Sequence, residues 1–510
     1  MTANTLRIRM YCQGLGDCFI LTFPRSAGER SEFHILIDCG VIGGTQNAAE
    51  IMNAVVDDIR ETTGGHLDLV VATHEHWDHL SGFNQAREKF EKNFQIDAVW
   101  LGWTEDPKDP KDLIKKRAAK LKALKTAVKK IAEGGMRNPG LAEQHRSIRE
   151  VLSFFGEEDV QSGAGGVGLA GSEADHSPNA RTTRDALDYL SQHPHAAVTY
   201  CYPSKPPMRL EGVDGVQVYV FGPPEDISYL KISAPTKDAK TYGLTAEAGE
   251  DSFIAALSSE GDDDSAYSGM KDLTYPFEKN DRIEASRVEE SDFADFFDQH
   301  YGLQARPADA WRRIDADWLD VTSELALNLD SNTNNTSLVL AFEIGEPGQG
   351  KVLLFAADAQ VGNWLSWQNL EWPLGPAGQS QRTVSAHDLL ERTILYKVGH
   401  HGSHNATLSE LGLGLMNSPD LIALLPVDSQ KAHDKGWDDM PFRPLLDTLN
   451  EKTRGRILRI DAQSEPLRPL SSHLSEAEWQ AFLNSMTPLE QIPNLGPKKL
   501  YLEIKLDFGA

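Results

Sequence analysis

One heptapeptide constrains this chain more than any other feature. Residues 73–79 read Thr73-His74-Glu75-His76-Trp77-Asp78-His79, directly after the largely apolar run Leu67–Ala72. Four potential metal ligands thus fall within six positions. In extended chain, alternate side chains share a face, so His74 and His76 are expected to point the same way. Both imidazoles could then meet one ion at the ~2.0–2.1 Å of a Zn–N bond. If the chain next turns into a helix, Asp78 and His79 reach a neighbouring position. A second ion about 3.5–4 Å from the first follows naturally. Isolated histidines are usually solvated or satisfied in a core, but three with an aspartate at this spacing fit that description poorly.

Short apolar or β-branched runs recur along the 510 residues: Cys18–Phe23, His34–Asp38, Ala98–Leu101, Val216–Phe221, Ser337–Phe342, Val352–Ala356, Ile394–Val398, Leu421–Pro426, Arg456–Ile460 and Leu500–Leu506. Several lead into a loop and then a helical pattern. The layout predicts an α/β (α+β) fold with a mixed sheet. Two segments interrupt it. Lys108–Lys130 holds ten Lys/Arg and two Asp, with Ile114, Ala118, Leu121, Leu124, Val128 and Ile131 spaced as one apolar helix face. A Gly-rich stretch, 162–171, reads as a loop; it lacks the Lys-Ser/Thr of a phosphate-cradling P-loop. The second interruption runs from about Asp226 to Asp330. Within it, residues 241–300 carry sixteen Asp/Glu against four Lys/Arg, including Asp262-Asp263-Asp264.

At this point the sequence resembles a family. A His-x-His-x-Asp-His motif after a hydrophobic strand is similar to that of the metallo-β-lactamase superfamily, whose fold is an αββα sandwich with metals at one sheet edge. Gly14-Leu15-Gly16-Asp17-Cys18 with Ile35–Gly40 resembles the opening strands. Asn334-Asn335-Thr336-Ser337-Leu338-Val339 with Leu353–Asp358 resembles a later strand pair ending in an aspartate. Lys397-Val398-Gly399-His400-His401-Gly402-Ser403 resembles the last histidine motif. These forms are most similar to the ComEC-type branch, the nuclease-like domain of DNA-uptake proteins. The resemblance implies a sandwich with two insertions, one basic and helical and one acidic. Its first half would span residues 1–103. The helical, Gly-rich insertion would span 104–195, a returning strand 196–225, and the acidic insertion 226–330. The second half would cover 331–465, and a C-terminal helix and strand 466–510.

Carried over by position, the resemblance implies that His74 and His76 bind the first metal, that Asp78, His79 and His400 bind the second, and that Asp358 bridges the two. His401 stays open as the alternative ligand or a proton donor to the leaving group. Asp38 reads either as a carboxylate orienting a ligand from behind or as a strand-end cap. One departure stands out. Many relatives carry another ligating histidine just before the strand that here begins at Ser337, where this chain has Asn332-Thr333-Asn334-Asn335. An Asn or a water would fill that position, or the first site is weak, which would favour Mn²⁺ or a single tight ion over two Zn²⁺. Weaker candidates are expected to be structural: His193 and His195 in a surface loop, His404 on the surface, and Trp364 and Trp367 in the core.

The implied chemistry is metal-assisted hydrolysis by two divalent ions, Zn or Mn. Asp78 would orient the attacking water and take its proton, and His401 would offset charge on the leaving oxygen. A phosphodiesterase or nuclease ranks first, with nucleic acid as partner. Lys115, Lys116 and Lys120 on the basic helix are candidate substrate contacts, against the alternative of a plain solvated face. A hydrolase of a small carbonyl substrate (lactone, thioester or β-lactam-like) and a metal-site effector subunit docking a protein partner through the insertions are the alternatives. The formal charge of -26 excludes bulk wrapping of nucleic acid, but not a nuclease whose ions supply local positive charge. No apolar run approaches a membrane span and no secretory signal is visible, so a cytoplasmic protein is expected, with Cys12, Cys18, Cys39 and Cys201 as buried free thiols.

Overall fold

Strand β1 (Thr5–Tyr11) buries Leu6, Ile8 and Met10 and leaves Arg7 and Arg9 partly exposed, the period-2 pattern of a strand with one dry face. It pairs antiparallel with β2 (Cys18–Pro24), which pairs antiparallel with β3 (Glu32–Cys39). The computed structural model describes residues 5–133, 146, 148–157, 181–233, 291–301, 317–374, 382–462, 466, 468 and 474–508. The Gly-rich stretch 162–171 and Asp262–Asp264 lie outside the described residues.

After β3 the chain enters helix α1 (Ala48–Thr63), which buries Met52, Val55, Val56 and Ile59. That i, i+3, i+4, i+7 stripe covers the outer face of the sheet, each side chain contributing roughly 1.5–3 kcal/mol. Strand β4 (Leu69–Ala72) follows, and helix α2 (Trp77–Gln85) springs from its end across 73–76. Strands β5 (Ala98–Gly102) and β6 (Ala197–Cys201) complete a seven-stranded sheet in which β3, β4, β5 and β6 run parallel. The opposite edge is closed by β13 (Tyr501–Asp507), which pairs antiparallel with β1, Leu6 opposite Leu506. A C-terminal strand was legible in the alternation of 500–506; its return to the N-terminal strand was not.

The second sheet holds β7 (Val216–Gly222), β8 (Val339–Ile344), β9 (Lys351–Phe355), β10 (Thr393–Lys397), β11 (Ile422–Leu425) and β12 (Ile457–Arg459). The order is β12-β11-β10-β9-β8-β7, with the first four parallel and the last two joined antiparallel. The two sheets face each other through Phe19, Leu21, Ile35 and Ile37 on one side and Val218, Leu340, Phe342 and Phe355 on the other. Helix α1 and α2 side chains pack outside the first sheet. Trp364, Trp367, Leu389 and Leu449 pack outside the second. This is the αββα sandwich.

The insertions do not stand apart from each other. Helix α3 (Leu113–Glu133) comes from the basic segment and helix α5 (Asp317–Asn334) from the end of the acidic one, with α4 (Thr183–Ser191) between them in sequence. Ala123, Leu124, Ala127 and Val128 of α3 pack on Ile148, Val151, Leu152 and Phe155, and on Leu325, Ala326 and Leu329 of α5. Of the expected apolar face of α3, Leu124 and Val128 are buried and Ile114 and Leu121 half-buried; Ala118 is exposed, Arg117, one of the ten basic residues, is buried, and the side chain of Ile131 lies outside the described residues. All four cysteines are free and buried. Among the described residues, no helix is long and apolar enough to cross a membrane.

Candidate metal centre

The carboxyl ends of β3, β4, β9 and β10 bring the candidate ligands to one edge of the sandwich. Helix α2 starts at Trp77, so Asp78 and His79 sit in its first turn, against the loop that follows β3. The approach is close. The Asp17 amide donates to the Asp78 carbonyl at 3.0 Å, and a Cβ on Gly40 would lie 2.3 Å from the Asp78 backbone. No larger residue fits at position 40 without moving Asp78. On the other side, Asp358 follows β9, and His401 follows β10 on a turn where His400 and His401 hold φ of 43° and 50°. Two successive non-glycine residues in the left-handed region cost of order 1–3 kcal/mol each, a strain typical of functional turns.

Four donor atoms converge there. His79 Nε2 lies 3.1 Å from Asp358 Oδ2 and 3.7 Å from Asp78 Oδ2. His401 Nε2 lies 2.9 Å from Asp78 Oδ2 and 3.6 Å from Asp358 Oδ2. Donors held at ~2.0–2.2 Å from a tetrahedral ion stand ~3.3–3.6 Å apart, so these separations bracket a metal's requirement. Each imidazole is oriented from its far side. His79 Nδ1 meets Asp38 Oδ2 at 2.7 Å, and His401 Nδ1 meets the Pro426 carbonyl at 2.8 Å. Both acceptors fix the N–H on Nδ1 and leave Nε2 for the centre. Asp38 also accepts from the Thr73 amide at 2.8 Å and its hydroxyl at 2.7 Å, so it pins the strand end as well as the ring.

Without an ion, the charges balance internally. Burial opposes charging His79, but Asp358, Asp78, Asp17 and Asp38 hold its imidazole well above its ordinary range. His401 is raised for the same reason, with burial outweighed by Asp358 and Asp78. Burial works against Asp358 as an anion, yet His79, His401 and Lys397 keep its carboxyl well below the carboxylate range.

The His74–His76 pair forms a second half-site. The chain is not extended here as the alternation argument supposed; it bends, the His76 amide donating to the His74 carbonyl at 3.0 Å. The rings still converge, through different atoms. His74 Nε2 lies 3.1 Å from His76 Nδ1, again a ligand-like separation. Burial drives both below the usual imidazole range, His76 to about 3, so both are neutral and ready to ligate. Nε2 of His76 and of His79 and Oδ1 of Asp78 are buried without a hydrogen-bond partner, which fits a site built for cations.

His400 is not part of the four-donor cluster. Its Nδ1 takes Ser403 Oγ at 2.8 Å and lies 3.3 Å from Asn405 Oδ1. The turn delivers its neighbour instead. Because His401 Nε2 stands among the donors, the geometry gives that residue a ligand's place rather than a free proton donor's. Lys115 and Lys116 are exposed on α3, Lys115 paired with Asp112 at 3.0 Å, and Lys120 is half-buried. His404 is exposed, and His193 and His195 join none of the clusters around the centre. Trp364 and Trp367 are fully buried, 4.2 Å between rings.

Residues 28–137 match the family model of the metallo-beta-lactamase superfamily. The matched stretch contains His74, His76, Asp78 and His79, while Asp358 and His401 join them only in space. Among curated proteins, none matches the chain. The match and the donor set together support a metal-dependent hydrolase.

Several residues at the centre escaped the sequence reading. Lys397 is buried with its ammonium against Asp17, 2.8 Å from the Ala357 carbonyl and 3.5 Å from Asp358 Oδ1. Both lie in the motifs quoted above, which was the available signal. Glu75, between the two histidines, is paired with Arg117 at 3.1 Å and Arg184 at 3.7 Å; Glu105 takes Arg117 at 2.5 Å and Arg184 at 3.0 Å. This quartet, buried except for the half-exposed Arg184, ties α3 and α4 to the metal-binding turn. Asp330 of α5 puts Oδ1 3.6 Å from His76 Nε2. Burial, with Asp78 and Asp358 nearby, pushes its carboxyl up to about 7.

Proposed function

We propose that the chain is a metal-dependent phosphodiesterase acting on nucleic acid. The observation that carries this reading is the anchoring of the cationic helix α3. Arg117 of α3 is bonded to Glu75, between His74 and His76, while Lys116 and Lys115, one and two residues away, face solvent. In a chain of charge -26, the exposed ammonium groups of a helix tied to that turn would give a polyanion's phosphates a local cationic contact.

The residues present fit two divalent ions, Zn²⁺ or Mn²⁺. His79, His401, Asp78 and Asp358 would hold one, and His74 and His76 would begin the other. When bound, such ions supply an acidified water and offset the charge that develops on a phosphoryl group. The chain's own contribution is positioning and proton handling. Asp38 and the Pro426 carbonyl orient His79 and His401. Asp78 keeps one oxygen among the donors and leaves Oδ1 unpartnered, an acceptor for a proton from the attacking water. Lys397 lies 3.5 Å from Asp358 Oδ1 and would share its negative charge with the ions. The lysines of α3 would hold the substrate's flanking phosphates.

The direct test incubates the full chain, loaded with Mn²⁺ or Zn²⁺, with single- and double-stranded DNA and RNA. Cleavage by the wild type, lost in His79→Ala and weakened with a shallower salt dependence in Lys115→Glu/Lys116→Glu, is expected. No cleavage by the metal-loaded wild type, or equal cleavage by His79→Ala, overturns the proposal. Turnover of lactone, thioester or β-lactam panels with phosphodiesters inert would put the carbonyl hydrolase in its place.

A further inference from the structure

The half-site of His74 and His76 has two imidazole donors where a stable transition-metal site wants at least three protein ligands. Residues 333–337 pass beside it. The Leu338 amide donates to the Thr73 carbonyl at 2.9 Å, and Ser337 Oγ lies 3.4 Å from His74 Nδ1. The polar side chains of this stretch can be sorted by what they already do. Thr333 Oγ1 donates to the Leu329 carbonyl at 2.8 Å, and Thr336 Oγ1 to the Thr333 carbonyl at 2.6 Å. Asn335 donates to the carbonyls of Leu230 and Ile232 at 3.1 and 3.0 Å and accepts from the Gln360 amide at 3.1 Å. Ser337 Oγ accepts from the Asp358 amide at 3.1 Å. Asn334 differs: it is 1 % exposed, and neither its Nδ2 nor its Oδ1 has a hydrogen-bond partner. A buried amide with both ends idle is costly unless something occupies the space beside it.

Asp330 stands one helical turn earlier on α5. Positions i and i+4 share a helix face, so Asp330 and Asn334 present to the same side. Asp330 is the carboxylate nearest the idle Nε2 of His76, at 3.6 Å. His76 uses Nδ1 toward His74, so its Nε2 is the nitrogen left to carry a proton and be steadied from behind.

We propose that α5 completes the first metal position. The side-chain oxygen of Asn334 supplies the third protein donor beside His74 Nε2 and His76 Nδ1, and the Asp330 carboxylate positions His76 by accepting its Nε2–H. The inference rests on the metal-binding reading of the site, but not on nucleic acid being the substrate. The acidic insertion thereby contributes directly to the centre, in the place where the chain lacks a histidine. An amide oxygen is a harder donor than imidazole, so the first position should discriminate against Zn²⁺ in favour of Mn²⁺ more strongly than the second does.

The test is metal stoichiometry and affinity on the full chain, stripped with chelator and titrated with Mn²⁺ or Zn²⁺. Elemental analysis and the Mn²⁺ electron paramagnetic resonance spectrum are the readouts. The wild type is expected to take two equivalents and show a spin-coupled Mn²⁺ pair. Asn334→Ala should fall to one equivalent with the coupled spectrum lost; its retained equivalent reports that the sandwich is folded. Asn334→His should restore two equivalents and shift the preference toward Zn²⁺. Asp330→Asn should weaken the first position by about 10–100-fold and leave the second unchanged. Two equivalents with unchanged affinities in both Asn334→Ala and Asp330→Asn would overturn the proposal, as would a wild type that binds one ion however much is added. None of these readouts depends on cleavage. A dinuclear protein inert on phosphodiesters would defeat the proposed function and spare this inference.

Discussion

The two halves of the metal centre are built differently. The Asp78, His79, Asp358 and His401 set comes from the strand ends of the sandwich, and each of its imidazoles has its far nitrogen tied within 2.8 Å to an acceptor that is itself part of the sandwich. In the other set, His74 Nδ1 lies 3.1 Å from Thr73 Oγ1 and 3.4 Å from Ser337 Oγ, while His76 leans on the insertions. His76 packs against Phe155 at 5.2 Å between rings, and its far nitrogen looks across 3.6 Å to Asp330. A donor oriented by a sheet core inherits the rigidity of that core. A donor oriented by an insertion can be tuned by changing the insertion. The same sandwich could thus keep the second ion fixed while the first varies in affinity and kind.

The sharpest way to break this comparison is to remove a sandwich ligand. His79→Ala should lose the second ion by elemental analysis and lower hydrolysis by about a thousandfold or more, the loss of several kcal/mol of metal-derived stabilisation. If His76→Ala costs as much metal at that position, the halves are not independent. Next in size is Arg117→Ala. It strips Glu75 and Glu105 of a buried partner and should cost about 3–5 kcal/mol in urea unfolding. Lys115→Ala, on the exposed face of the same helix, should stay within about 0.5 kcal/mol. Equal effects would mean that the ion-paired quartet does not anchor α3 to the metal-binding turn. Chelation comes third. Stripping ions present at about 100 times Kd should lower stability by about 2.7 kcal/mol, read as a fall in melting temperature that added metal reverses. Smallest is Asp38→Asn, which removes the anion behind His79. The second position should weaken by about 10–100-fold while the first keeps its affinity.

Much of the sandwich was legible because its strands are short apolar runs and the two faces of β1 obey a strict alternation. The His-x-His-x-Asp-His motif was legible because its donors are adjacent in sequence. What failed was local geometry and everything brought from a distance. Strand periodicity placed His74 and His76 on one face, but a bend at Glu75 brings them together instead. The choice between His400 and His401 depends on a left-handed turn that neither residue type announces. Arg117 looked like one more solvated charge, since ten basic residues within Lys108–Lys130 conceal the one that, among the described residues, is buried. Asp330 stood alone among Leu, Asn and Ser residues at the end of the acidic insertion, and nothing local marks a carboxylate that will face His76.

The amino-acid sequence alone determined the chemistry on offer, imidazoles and carboxylates at strand ends, and the layers able to carry it. Those follow from hydrophobic period and local spacing, which are short-range properties of the chain. Tertiary structure decided which nitrogen of each histidine faces the centre and which of two neighbouring histidines enters it. It also decided that helices from two separate insertions, one basic and one acidic, reach the same turn, Arg117 at Glu75 and Asp330 at His76. These outcomes depend on contacts between residues hundreds of positions apart, such as His401 with Asp78, and nothing in either local stretch records the other.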